Sequence, residues 1–278
     1  MWIVTKSILK HVYMKRQSWS HKGNHGHVAV IGGSKRYSGA PGLAALSSLR
    51  AGADLATVIA PKRAADIVAA FSPDLITYPL TGNFITRAHL REVLEITKNV
   101  DAVVIGSGLG RNKQSLDFVL QFLQKTNIPC VIDADAIYAF MKNTELLKEN
   151  HIITPHAYEF EVLSDHIPDN NIINRTKLVH MFTSKHRTTV LLKGHVDVIS
   201  NGINIAVNKT GTPYMTVGGT GDVLAGICGA LLALGNKPFE SACAGAYING
   251  QVGNRLSKEI GPSLTATDLI SNIYKVLR

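Results

Sequence analysis

Short apolar runs alternate with stretches whose apolar residues recur at helical spacing along most of this chain. The runs His27–Ile31, Leu55–Ala60, Asp101–Ile105, Pro129–Ile132, His151–Thr154 and Thr188–Lys193 are too short for helices and are bounded by turn residues. Each predicts a buried strand, with Leu75–Leu80 a weaker one. Between them the spacing predicts helices over 42–52, where Pro41 sits near the first helical position, and over Lys62–Ala70, Arg87–Lys98, Ser115–Lys125, Ala136–Met141 and Asn170–Lys185. Asp197–Asn201 and Ile203–Asn208 predict a hairpin about Asn201-Gly202. Val223–Leu234, Pro238–Leu256 and Thr265–Leu277 predict closing helices, the last opening on a cap from Thr265 to Asp268. This alternation predicts an α/β fold, one mainly parallel sheet with helices on both faces. No linker-like composition, repeat or low-complexity tract interrupts it, which predicts one domain over residues 1–278.

The chain is organised around Asn208–Ala233, in which Gly218-Gly219-Thr220-Gly221-Asp222 precedes an apolar run rich in small residues. The pattern predicts a glycine loop at the N-terminus of a buried helix, with unpaired N–H groups and a partial positive charge. Missing Cβ atoms let a phosphate approach those amides. A carboxylate beside a phosphate site is a poor countercharge, so Asp222 reads better as a general base acting on a hydroxyl that attacks phosphorus. The competing reading is that Thr220 or Asp222 merely caps a helix.

Other candidates also follow strands, where ligands bind in open α/β sheets. Gly106, Gly108 and Gly110 exceed what one turn needs. Asp133 and Asp135 either hold Mg²⁺ through water or cap the next helix. His156 lies just past a strand, and Lys193 leaves another into a glycine turn as a phosphate partner. His21, His25 and His27 lack the spacing of three ligands on one helix face and read as a solvated loop, so no metal site is assigned there.

Composition narrows the partners. Hydrophobic residues make up 45% and charged residues 18%, enough for a large core. The net charge is +9, but aromatics do not alternate with the basic residues as a single-strand platform requires. Anionic small molecules are the better match, and no nucleic acid is expected. Cys130, Cys228 and Cys243 lie in apolar runs without metal spacing and read as reduced core residues of a cytoplasmic protein. The opening residues lack a signal peptide's apolar core, and no run is long enough for a convincing membrane span.

Six motifs, HKGNHGHVAVIGGSKRYSGAPGLAALSSLRAGADL, VVIGSGLGR, VIDADA, ITPHAYEFEVL, VLLKGHVDVI and NKTGTPYMTVGGTGDVLAGI, follow in order, within a resemblance that spans about Ser20 to Asp268. Together they resemble the ADP/ATP-dependent NAD(P)H-hydrate dehydratase family in its stand-alone form, a branch of the ribokinase-like fold. The resemblance implies a substrate, NADHX or NADPHX, that is a nicotinamide cofactor damaged by addition of water. ADP, or less expectedly ATP, drives removal of that water with Mg²⁺ on the phosphates, and ADP would yield AMP and phosphate. By the family pattern Asp222 is the catalytic base. Ala40, Gly108, His156 and Asp222 face the hydrated nucleotide. Lys193, Gly194, His195, Val196 and Asp197, with Gly221, face the AMP portion. Gly219, Thr220 and Gly221 supply an anion hole. Relatives imply a homo-oligomer, with a tetramer expected, and a separate epimerase as pathway partner, since the epimerase domain of many relatives is missing. Tyr158 stands where the family usually has Gly, and Asn249 replaces a usual His. The rival readings are a ribokinase-like vitamin-precursor kinase, which would stop at the phosphorylated product, and a non-enzymatic nucleotide sensor, against which Asp222 argues.

Overall fold

The computed structural model describes residues 1–277; the last residue of the expected single domain, Arg278, lies outside them. Among the described residues ten strands form one sheet. In chain order they are β1 (Trp2–Ile3), β2 (His27–Ile31), β3 (Leu55–Pro61), β4 (Ile76–Leu80), β5 (Ala102–Ile105), β6 (Cys130–Ile132), β7 (His151–Ile153), β8 (Thr189–Leu192), β9 (Asp197–Ser200) and β10 (Ile205–Asn208). Their spatial order is β1-β10-β9-β8-β7-β6-β5-β2-β3-β4. From β4 to β8 every pairing is parallel, and only the β8–β9 and β9–β10 pairs are antiparallel.

The helices are α1 (Ile8–Val12), α2 (Gly39–Arg50), α3 (Lys62–Ala69), α4 (Leu90–Ile96), α5 (Lys113–Lys125), α6 (Ala157–Ser164), α7 (Ile172–His186), α8 (Thr220–Ala233), α9 (Pro238–Glu259), α10 (Ala266–Asn272) and α11 (Tyr274–Leu277). Successive strand side chains point to opposite faces. Val28, Val30, Val58, Val104 and Leu191 therefore join one core with α2, α8 and α9. Ala29, Ile31, Ile59, Ile105 and Leu192 join a second core with α5 and α7. Both layers are covered, which is why the central strands read as continuous apolar runs rather than as alternation.

Small residues set the packing of α8. A Cβ on Gly226 would collide with the Ala44 carbonyl and the Ser47 hydroxyl of α2. Gly226→Ala should therefore lower the urea midpoint: overpacking costs about 1–3 kcal/mol, more than the roughly 1 kcal/mol gained in helix propensity. An unchanged or raised midpoint would contradict this account of the α2–α8 contact.

Several predicted boundaries move. The stretch predicted as a helix over Ala136–Met141 is a 3-10 segment at Ala134–Phe140, entered through Ala134 at φ +49°. Arg87–Lys98 divides into α4 flanked by 3-10 turns at Arg87–His89 and Thr97–Asn99. Thr265–Leu277 breaks at Ile273, whose side chain is fully buried, into α10 and α11. The hairpin connection spans Asn201–Asn204, because the Asn201 side chain accepts from the N–H groups of Ile203 and Asn204. The pattern did not reveal β1, whose two residues become a strand by pairing with β10.

Candidate functional site

The chain reverses its direction across the sheet between β2 and β5, so the turns leaving these strands diverge and open a crevice at their carboxyl ends. Three turns meet there backbone to backbone. The Gly33 N–H donates to the Ser107 carbonyl at 2.8 Å. A Cβ on Gly32 would strike that same carbonyl, and one on Gly106, at φ +126°, would strike the Asp133 carbonyl. The glycines after β5 thus serve close approach as well as turning. Gly108, at φ +66°, lies against Ala40 and Tyr37, so the predicted pair Ala40 and Gly108 are neighbours.

Facing them is the N-terminus of α8. Its N-cap is Gly219, at φ +95°, with no side-chain cap. Thr220 Oγ1 instead donates to the Met215 carbonyl at 2.9 Å, fastening the preceding turn. The first intrahelical bond at this end runs from Val223 N–H to the Gly219 carbonyl at 3.0 Å. The N–H groups of Thr220, Gly221 and Asp222 precede it and are left for a ligand. Asp222 sits in this first turn. Burial pushes its carboxyl up to about 7, Asp133 and Asp135 add to the rise, and Lys193 pulls against it. Ser107 also lowers it; its hydroxyl is buried beside Asp222 without completing a hydrogen bond.

Lys193 is the hub between α8 and the turns after β6 and β7. Its Nζ lies 3.1 Å from Asp133 Oδ1 and 3.8 Å from Glu159 Oε2, both carboxylates almost wholly buried. Gly221 lies close by, its would-be Cβ 3.5 Å from Nζ. Burial alone would lower the Lys193 pKa, but Asp133 and Glu159 outweigh it and the net shift is upward. Thr154 Oγ1 donates to the same Asp133 oxygen at 2.7 Å. Glu159 accepts from the His156 N–H at 2.8 Å, and its own N–H donates to His156 Nδ1 at 3.2 Å, closing a capping box at the start of α6. Burial raises Glu159 and lowers His156. Asp135 accepts from Gly110 N–H and Arg111 Nε at 2.9 and 2.8 Å. Neither aspartate acts as the helix cap weighed from sequence, since the segment after Asp133 has no side-chain cap.

A cleft of about 670 Å³ opens beside Lys193. Of the residues assigned by resemblance to AMP, Lys193, Gly194, His195, Asp197 and Gly221 line it, as do His156 and Thr220. Val196 does not; it packs against the second core. Asp197 receives Gly194 N–H and Asn208 Nδ2 at 3.0 Å each, and burial pushes its pKa up to about 6. Ala40, Gly108, Gly219 and Asp222 lie outside this cleft, toward the crevice. Sequence reasoning missed Thr154, Glu159 and Ser107. Only Glu159 carried a signal, its place three residues after a cap position. Asn249 is 7% exposed at the cleft; its Nδ2 reaches the Thr220 carbonyl at 3.5 Å and its Oδ1 is unpartnered. Among the described residues no three His, Cys, Asp or Glu side chains converge as a metal site, and no helix is long and apolar enough to cross a membrane.

A mostly parallel sheet, a glycine-led helix opening on an acid and an adjacent nucleotide-sized cleft define the ribokinase-like class of α/β proteins. A ribokinase-like superfamily protein of Enterococcus faecalis superposes with a TM-score of 0.84 and 28% identity, over 99% of this chain and 95% of that one. A Bacillus subtilis ADP/ATP-dependent NAD(P)H-hydrate dehydratase co-crystallised with ATP and Mg²⁺ shares the fold, with a TM-score of 0.81 and 21% identity over 100% and 99% of the two chains. Within that class the chain belongs to the NAD(P)H-hydrate dehydratase family, whose model matches residues 28–275. A bifunctional NAD(P)H-hydrate repair enzyme of Methanocaldococcus jannaschii is 44% identical over 95% of this chain. The chain spans about half the length of that enzyme and its bifunctional counterparts. An ADP-dependent (S)-NAD(P)H-hydrate dehydratase of Nitrosopumilus maritimus is 37% identical over 99% of this chain and 96% of its own length.

Proposed function

We propose that this protein is an ADP-dependent dehydratase of (6S)-NAD(P)HX, a carbon–oxygen lyase that restores damaged nicotinamide cofactors. The observation that carries the reading is Asp222, an acid with a pKa near neutrality in the first turn of a glycine-led helix. The near end-to-end match to the Nitrosopumilus maritimus enzyme favours ADP as donor and dehydration over the vitamin-kinase alternative.

In this reading ADP occupies the cleft, with Lys193, Gly194, His195, Asp197 and Gly221 around its AMP portion, while Val196 packs into the second core behind them. The hydrated nucleotide lies at Ala40, Gly108, His156 and Asp222. Asp222 takes the proton of the ring hydroxyl as its oxygen bonds to the terminal phosphorus and the bond to the departing AMP breaks. The amides of Gly219, Thr220 and Gly221 hold the charge gathering on the transferred phosphoryl group. Phosphorylation turns a poor leaving group into a good one. The ring C–O bond then breaks, phosphate departs, and loss of a proton from the adjacent carbon restores the dihydropyridine. The repulsion that Asp133 and Asp135 exert on Asp222 is what a cation here would relieve, so Mg²⁺ fits as an ion held chiefly by phosphate oxygens and water, with these carboxylates nearby. When bound it supplies neutralisation of phosphate charge. The same reading makes the chain one cytoplasmic catalytic domain, a homo-oligomer, with a separate epimerase to convert the other epimer.

Incubation with enzymatically hydrated NADH plus ADP and Mg²⁺ should restore the reduced-nicotinamide absorbance and release AMP and phosphate. No recovery with ADP or ATP, together with phosphorylation of a thiazole alcohol, would move the protein to the kinase reading.

A further inference from the structure

Beyond His156 the rim of the crevice carries side chains that neither the cleft nor the Asp222 mouth uses. Tyr158, in the first turn of α6, is 61% exposed. Its ring is inclined 28° to that of His156 with centroids 6.4 Å apart, so it prolongs the surface that His156 begins. Tyr138 lies within electrostatic reach of Tyr158. Over the Tyr138 ring, 3.8 Å from its centroid, lies the Arg111 guanidinium. Arg111 Nε is committed to Asp135 at 2.8 Å, and Asp135 is itself held by the Gly110 N–H. The guanidinium is thus fixed in orientation on two sides. Its side chain is nonetheless 54% exposed, and its two terminal amino groups make no hydrogen bond with any described residue.

A guanidinium held at Nε and over an aromatic face, with its terminal fork free, is a preset receptor for a phosphate oxygen pair. An exposed aromatic ring in the same wall is a platform for a flat base. The ligands of the proposed reaction differ in what they can offer it. ADP is accounted for by the cleft, and the hydrated nicotinamide ring, which carries saturated carbons, stacks poorly. The remaining half of the dinucleotide has both a phosphate and a flat aromatic adenine.

We propose that the wall of Arg111, Tyr138 and Tyr158 is the subsite for the non-reacting half of the dinucleotide substrate, Arg111 pairing with its phosphate and Tyr158 stacking on its adenine. The inference rests on the dehydratase reading and deepens it. Continuity of the wall with His156, together with the positive charge of Arg111, selects this occupant.

The test compares hydrated NADH with hydrated reduced nicotinamide mononucleotide, which lacks the adenosine half. Tyr158→Ala should lower kcat/KM for the dinucleotide by roughly 5- to 150-fold, the range expected for one base–aromatic stack, mainly through KM. The loss should be confined to the dinucleotide, the KM for ADP should not move, and Tyr158→Phe should recover most of the loss because the ring does the stacking. Arg111→Gln should also raise the dinucleotide KM. Equal losses on both substrates, or none on either, would overturn the subsite. Failure of the unsubstituted protein to turn over either substrate would overturn the dehydratase reading instead. Calorimetric titration with NAD⁺ and nicotinamide mononucleotide then reads the wall directly. A preference for the dinucleotide that Tyr158→Ala abolishes supports the subsite, and equal binding overturns it.

Discussion

Asp222→Asn should retain ADP binding and lose turnover by about 10²–10⁴-fold, the usual worth of a general base. The amide keeps the size of the side chain and leaves the glycine loop and the N–H groups of Thr220 and Gly221 in position. It cannot accept the hydroxyl proton. The unsubstituted enzyme should also show a rising limb in kcat/KM with an apparent pKa near 7, because burial and the Asp133 and Asp135 charges hold Asp222 protonated well above the ordinary carboxylate range. That limb should vanish in Asp222→Asn. Stability supplies an independent readout. The folded state keeps a proton that the unfolded chain gives up near pH 4, so stability falls as pH rises from about 4 toward 7 and stays reduced above it. Asp222→Asn should therefore raise the melting temperature at pH 8 and leave it nearly unchanged at pH 4. Near-normal turnover in the variant would remove Asp222 from the role of base. A melting temperature unmoved at pH 8 would contradict the raised pKa.

Lys193→Met should have the largest effect on stability. In the folded protein Lys193 separates Asp133 and Glu159, which are almost wholly buried, at 3.1 and 3.8 Å. Removing the ammonium leaves buried carboxylates without a countercharge, a change that costs about 3–5 kcal/mol in comparable sites. The hydroxyl of Thr154 still reaches Asp133, so collapse is not expected. Burial already raises the Glu159 pKa against the pull of Lys193, so without the lysine Glu159 holds its proton more tightly still in the folded state than in the unfolded one. The Glu159 contribution then falls as pH rises, and the loss should be greater at pH 8 than at pH 5. Asp222 should respond as well. Lys193 lowers its pKa, so the rising limb of the activity profile should move to higher pH in whatever activity remains. Urea unfolding at the two pH values, with the KM for ADP measured alongside, checks both parts. Equal unfolding midpoints for variant and parent at pH 8 would show that the cluster does not depend on the lysine.

The predicted strands and most helices emerge where expected because burial on both faces forces continuous apolar runs in the central strands, and small residues recur where α8 meets α2. The glycine loop was equally legible: only residues free of Cβ permit φ +95° at Gly219 and the contact of Gly32 with Ser107. Boundaries were less so. Ile273 is fully buried at the break between α10 and α11, a packing decision that local spacing does not encode. The two residues of β1 have no periodicity to read and exist as a strand only because β10 offers an edge.

Sequence alone determined the class of the fold, the glycine-led helix, the acid on its first turn and the family to which the chain belongs, since these follow from local pattern and ordered motifs. Tertiary structure alone decided which charges share a site. Asp133, Glu159, Lys193 and Asp222 come from four separate segments, and nothing in their spacing says that they converge. The difference is physical. Backbone conformation and amphipathic pattern depend on neighbours in the chain, whereas a pKa near 7 on Asp222 or a fixed Arg111 fork depends on burial and charges brought together only by the folded sheet.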